Sequence, residues 1–293
     1  MNGILLIDKP AGITSAEVVR RVKRLLPRGA KVGHLGTLDP FATGLLPLCL
    51  GEGTKIAQFL NTADKRYRGL IQLGSATDTG DRTGAVVHEA PVGPIDAAAL
   101  AEVCRRFTGE IRQRPPMYSA LKKDGVPLYR LARQGIEVER EERPVRIERL
   151  TLELAGPDQL RLEVACSKGT YVRVLAEDIG AALGTVAHLR ELRRTGFGDF
   201  DIAQAVALDA FDPARPAGLV PLRAAVAHLP AVTLDAQGVR AVRQGKSGVL
   251  SRLAGVTAPA AALVDPDGHL AAVAVQERGH WRYGRVLAPA FTA

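Results

Sequence analysis

One stretch limits what this chain can fold into more than any other: GHLGTLDPFATGLLPLCLGEGTK, residues 33–55. Gly33, Gly36, Pro40, Gly44 and Pro47 interrupt it too often for an unbroken helix or a central strand. Its first half carries a single carboxylate, Asp39. Pro40 biases Asp39 toward an extended backbone, which presents the side chain at a loop edge. The apolar run Leu45–Leu50 should anchor that loop in a core. A loop pinned by buried flanks is a good mount for a reactive group. Asp-Pro-x-Ala is also how an ordinary helix begins, with Asp as N-cap and Pro at the first helical position. Spacing alone leaves both readings open.

The ordered pattern G-H-x-G-x-L-D-P-x-A-x-G-x-L-P, residues 33–47, resembles the catalytic signature of the TruB family of tRNA pseudouridine synthases. Further stretches resemble the same family: D-K-P-x-G-x-T-S from Asp8, K-R-Y-R from Lys65, T-D-T-x-D from Thr77, P-P-x-Y-S-A-L-K from Pro115, K-G-T-Y-x-R from Lys168 and L-R-R-x-x-x-G from Leu192. The resemblance spans essentially residues 2–200 and continues loosely beyond. It implies that Asp39 is the nucleophile, that Arg173 pairs with it, and that Tyr67, Tyr171 and Leu192 line the pocket of the target base. His34 is assigned to the RNA-contact surface beside that pocket. Asp81 is read as support for the site's hydrogen bonds. Each residue also has an ordinary reading: a half-buried strand tyrosine at 67, a surface arginine at 173, a core leucine at 192, a neutral loop histidine at 34. An Arg⁺ beside Asp39 should lower its pKa by roughly 1–3 units and hold it ionised.

The implied reaction isomerises a tRNA uridine, uridine-55 of the T loop, to pseudouridine. The base must leave its stack to be reached, so apolar and aromatic groups should replace its neighbours. The isomerisation needs neither redox change nor group donor, so no cofactor is expected. No metal is expected either, since the Asp78/Asp81 spacing does not fit a calcium loop. Two rivals stand beside this reading: a non-catalytic RNA-binding or tRNA-folding protein of the same fold, and a synthase acting on ribosomal RNA.

The charge agrees with a polyanionic partner. The 293 residues carry a formal net charge of +8 and a pI near 9.7. Residues 1–31 hold seven Lys/Arg against two Asp/Glu, and residues 105–149 twelve against seven. Cys49, Cys104 and Cys166 are far apart and form no C-x-x-C, which predicts a reducing cytoplasm. No signal-peptide pattern or bilayer-length apolar run is present. No protein partner is implied, and a monomer acting on the tRNA T stem-loop is expected.

The expected fold class is α+β: a mixed, largely antiparallel central sheet flanked by helices (residues 1–225), followed by a small β-rich, PUA-like RNA-binding domain (residues 230–290). Thr14 and Glu17 suit a capping box for a helix with Val18, Val19, Val22, Leu25 and Leu26 on its apolar face. Ile95–Phe107 suits a second helix capped by Asp96, and about Val174–Leu183 a third. Arg146–Leu154 and Leu160–Cys166 alternate as strands, and residues 201–229 look like helix plus connector. From Pro230, short segments around the hairpin turn Asp265-Pro266-Asp267-Gly268 suggest a small barrel, with net charge +3 from seven Lys/Arg and four Asp/Glu. That module should add RNA affinity more than chemistry.

Overall fold

The computed structural model describes residues 1–60 and 63–288. Its main sheet contains β1 (Gly3–Lys9), β2 (Thr43–Leu50), β3 (Lys65–Leu73), β4 (Gly109–Gln113), β5 (Arg143–Gly156), β6 (Gln159–Cys166) and β7 (Ala187–Phe197). The spatial order is β1-β2-β7-β3-β6-β5-β4, with a short strand at Val206–Ala207 beyond β1. Neighbours along it are antiparallel except at two places, the 206–207 strand and the β2–β7 junction. The sheet is therefore mixed and largely antiparallel, as the alternation predicts.

The run Leu45–Leu50 does not alternate because both its faces are covered. Leu46, Leu48 and Leu50 join Leu5 and Ile7 in a core beneath α1 (Ser15–Leu25), α2 (Ala97–Phe107) and α3 (Val172–Ala182). Leu45 and Cys49 join Ile4 and Leu6 in a second core on the opposite face. The α1 cap is half of the expected box: the Thr14 hydroxyl accepts from Glu17 N, but the Glu17 carboxylate turns to Arg20 and Arg21. Leu25 is exposed at the helix end, so the apolar face is narrower than its spacing suggests. Asp96 caps α2 as expected. Helix α3 begins two residues earlier than its pattern indicates, which puts Arg173 inside it.

β2 and β7 are parallel neighbours whose backbones pair at Thr43↔Arg193 and Gly44↔Arg194. Gly44 sits there at φ +100, and a Cβ would collide with the Arg194 carbonyl. Gly44→Ala should therefore cost about 2–4 kcal/mol by prying the strands apart. A thermal melt identical to the parent's would refute that.

The C-terminal sheet, β8 (Ala231–Thr233), β9 (Ala260–Val264), β10 (Leu270–Glu277) and β11 (His280–Val286), is open rather than a closed barrel. β8 and β9 pair in parallel, and the 265–268 turn joins β9 to β10 as predicted. The segment around Val239 and Val242 is helix α4 (Ala236–Arg243), capped by Asp235, not a strand. Residues 201–229 form short strands, 3₁₀ turns and one short helix, Leu222–Ala225. Pro213, Pro216 and Pro221 override the alanine propensity there.

The C-terminal sheet is a layer rather than a tethered bead. Ala262, Val264, Leu270 and Val273 complete the second core with Ile4, Leu6 and Leu45, while Ala261, Leu263, Ala272 and Ala274 pack toward α4. Lys55 fastens the seam, pairing with Glu52 and donating to the Val286 carbonyl at 3.1 Å. Cutting the chain near Pro230 would expose that core. Truncation is thus no clean test of what the module contributes to RNA affinity.

Candidate active site

Asp39 lies on the loop that enters β2, beside the β2–β7 junction. No helix follows it: residues 40–42 are turn and bend, and β2 starts at Thr43. The N-cap reading therefore fails. The loop is held from several sides. Ser15 Oγ donates to Leu38 O at 3.0 Å and accepts from Leu38 N at 2.9 Å. Lys9 Nζ, fully buried, donates to the carbonyls of Pro10, Ile13 and Pro40. Arg194, 1% exposed, donates from Nε to Leu45 O (2.7 Å) and from Nη2 to Gly36 O (2.9 Å). Three glycine- and proline-rich turns are thus fixed by buried cations meeting backbone carbonyls, which are charge-assisted hydrogen bonds.

Arg173 is 4% exposed and gripped on three sides. Its Nε donates to Asp39 Oδ2 at 2.9 Å, Nη1 to Thr79 O at 2.5 Å and Nη2 to Tyr118 O at 2.7 Å. Asp81 Oδ2 stands 3.8 Å from the same Nε. Its Oδ1 accepts from Thr79 Oγ1 (3.1 Å), Thr83 N (2.9 Å) and Thr83 Oγ1 (2.5 Å), which fixes the turn that presents Thr79.

These groups face a cavity of about 390 Å³. Asp39, Tyr67, Tyr171, Arg173 and Leu192 all line it, so five of the seven residues singled out in the sequence meet there, with Asp81 beside Arg173 but outside the lining. His34 does not line it either. It sits on a short strand, Val32–His34, paired with Leu48 of β2, and its half-buried ring finds no hydrogen-bond partner for Nδ1 among the described residues. Burial and the charge of Arg194 lower its pKa, which favours a neutral imidazole. Sequence reasoning missed Lys9, Lys65, Arg194 and Ser119. Lys65 and Arg194 line the cavity and flank the Phe197 ring, at 4.7 and 5.5 Å from its centroid. Burial brings both Lys9 and Lys65 down to about 8.

Asp39 departs from its expected electrostatics. Its carboxyl pKa is raised, chiefly by burial and then by Asp81, while Arg173 and Lys9 pull it down without winning. The side chain is nonetheless 36% exposed, and it lines the cavity. The arrangement is a desolvated carboxylate with one open face, one locked cationic partner and aromatic walls. That suits nucleophilic or general-base chemistry on a flat, uncharged ring. Among the described residues, the one cluster able to share a metal ion is Asp265, Asp267 and His269 in the C-terminal hairpin turn, away from this cavity.

The fold is that of the pseudouridine synthases. A solved Cbf5–Nop10–Gar1 complex aligns over 93% of this chain and 78% of its own, with TM-score 0.68 and 28% identity. An H/ACA RNP bound to a substrate RNA containing 2′-deoxyuridine aligns over 98% and 85%, with TM-score 0.70 and 25% identity. At family level, the TruB family pseudouridylate synthase N-terminal domain matches residues 23–172, and the tRNA pseudouridylate synthase B C-terminal domain matches residues 173–215. Relatives named tRNA pseudouridine synthase B are 53% identical in Azoarcus sp. (84% of this chain, 83% of that protein) and 47% identical in Geobacter sulfurreducens (84% and 82%). The chain belongs to the TruB family.

Proposed function

We propose that this protein isomerises a uridine of tRNA to pseudouridine, that the target is the T-loop uridine, uridine-55, and that Asp39 is the nucleophile. The observation that carries the reading is the Asp39–Arg173 pair, 2.9 Å apart, at the wall of a cavity that Tyr67, Tyr171 and Leu192 line. The reaction breaks the bond from C1′ to N1, turns the base and joins C1′ to C5. The proton on C5 leaves and N1 gains one, so atoms balance without any donor. Asp39 attacks either the base or the sugar carbon, and both routes need its ionised form. Tyr67, Tyr171 and Leu192 receive the base after it leaves its stack. His34, outside the cavity with a neutral ring, suits the RNA surface near it better than the chemistry.

The C-terminal sheet and the basic 105–149 segment supply phosphate contacts. The protein acts as a monomer in the cytoplasm, where its tRNA substrate is found. A non-catalytic RNA-binding role is disfavoured, because binding needs neither a desolvated carboxylate nor a buried arginine locked onto it. Incubating purified protein with an unmodified tRNA transcript and mapping pseudouridine tests the reading directly. Pseudouridine in the T loop supports it. Its absence, or its formation in ribosomal RNA instead, overturns it.

The raised Asp39 pKa fixes the sign of the pH response. Activity requires the carboxylate, so it is complete above the folded-state pKa and lost as pH falls through it. That loss should begin at higher pH than for an ordinary Asp. Stability runs the other way: this group favours the fold when protonated, and the benefit fades as pH rises. Asp81→Asn removes a charge that raises the Asp39 pKa, so the acid limb should move to lower pH. Single-turnover rates across pH check this, and an unmoved or upward-moved limb would contradict it.

A further inference from the structure

Helix α3 carries Arg173 in its first turn, one residue after the helix starts, and Tyr171 at its N-cap. No side chain of its own caps that end. The cap comes from 58 residues earlier in the chain. Gln113, the last residue of β4, is 2% exposed and reaches the backbone of Tyr171 with both ends of its amide. Its Oε1 accepts from Tyr171 N at 3.0 Å, and its Nε2 donates to Tyr171 O at 3.3 Å. The same carbonyl already accepts from Leu175 N at 3.0 Å, the first bond of the helix. Gln113 thus holds the one peptide unit that places the Tyr171 phenol in the cavity wall and sets the rotation of the turn bearing Arg173.

A buried amide could serve stability alone. Its position argues for more. The segment after Gln113 also supplies Tyr118 O, which accepts from Arg173 Nη2 at 2.7 Å. Residues 113–118 therefore grip the backbone before Arg173 and its guanidinium at once. The guanidinium has little freedom to compensate if its helix end shifts, since all three of its nitrogens are engaged. A small misplacement at such a point can cost far more rate than the lost hydrogen bonds suggest.

We infer that Gln113 is a positioning residue for the reaction, setting the backbone of Tyr171 and thereby presenting Arg173 to Asp39. The inference rests on the roles proposed above for Asp39 and Arg173. Asp39 is faced by Arg173 from α3, by Asp81 from the turn before Thr83, by Lys9 from β1, and by the phenols of Tyr67 and Tyr171. A displaced Arg173 weakens the strongest downward pull on the Asp39 pKa, so the acid limb of the rate should move to higher pH.

The test uses the full chain with tRNA transcript. Gln113→Met keeps the volume and removes both hydrogen bonds. It should lower the single-turnover rate about ten-fold, raise the acid limb and leave tRNA affinity within about two-fold. Gln113→Glu keeps an acceptor for Tyr171 N and should recover part of the rate. Gln113→Leu, which also removes both hydrogen bonds, replaces Gln113→Met in every comparison if that variant fails to fold. In combination with Arg173→Ala, either change should slow the reaction by clearly less than it does alone, because most of its effect passes through the same group. An unchanged rate and acid limb in a folded variant overturns the inference, as do losses that multiply in the double variant. Failure of the parent protein itself to form pseudouridine would instead strike the functional reading.

Discussion

Asp39→Asn is expected to lower the single-turnover yield of pseudouridine on saturating tRNA by a factor on the order of 10⁴ or more, with the melt and tRNA affinity unchanged. The amide keeps the shape of the carboxylate and one oxygen that can accept from Arg173 Nε. Ser15, Lys9 and Arg194 hold the loop through its backbone, not through the Asp39 side chain. The substitution therefore removes the anion and little else, and an amide is no nucleophile. Normal yield would sink the assignment. Loss of yield with a collapsed melt would mean that the carboxylate holds the loop after all, contrary to its hydrogen bonds.

Arg173→Ala should be the second most damaging change, and it differs in kind. Rate should fall about 10²–10³-fold, because Asp39 loses its partner and becomes harder to ionise. Stability should fall too, by about 3 kcal/mol, since the nearly buried Asp81 loses its cationic neighbour and the carbonyls of Thr79 and Tyr118 lose their donor. Arg173→Lys should rescue little. A lysine is a compact charge on a flexible stem and cannot reproduce three contacts in one plane. The checks are a thermal melt and single-turnover kinetics on both variants. A lysine variant with near-parent rate would show that charge, not the planar grip, is what the site needs.

The lining of the candidate site was legible in the sequence because its residues fall in ordered motifs around glycines and prolines. Asp39, Tyr67, Tyr171, Arg173 and Leu192 all meet at one cavity. The cations that build the loop were not. Lys9 and Arg194 received no role in the sequence, because their carbonyl partners are dispersed: Pro10, Ile13 and Pro40 for one, Gly36 and Leu45 for the other. Nothing in local spacing marks such a partnership. The upward push on Asp39 was equally hidden. Adjacency to an arginine is visible in a motif, but desolvation depends on what covers the loop. Helix α4 had a readable signal, the Asp235 cap with Val239 and Val242 three apart, against a background of short strand-like segments. The docking of the C-terminal sheet had none, since an alanine- and valine-rich strand does not reveal which core it completes.

The placement of β1 bears on how this chain matures on the ribosome. β1 is made well before most of the segments that surround it. It pairs with residues 44–50 early, but its other edge waits for 206–207 and 219–220, and Ile4 and Leu6 wait for residues 262–273. Synthesis runs N-terminus first, so a nascent chain holds a bare strand edge and an uncovered apolar face until residues 206–273 have emerged. Such long-range closure is slow and prone to sticking. Final consolidation should therefore follow emergence of residues 262–273, and stalled chains ending before about residue 220 should be strongly protease-sensitive and bound by chaperones.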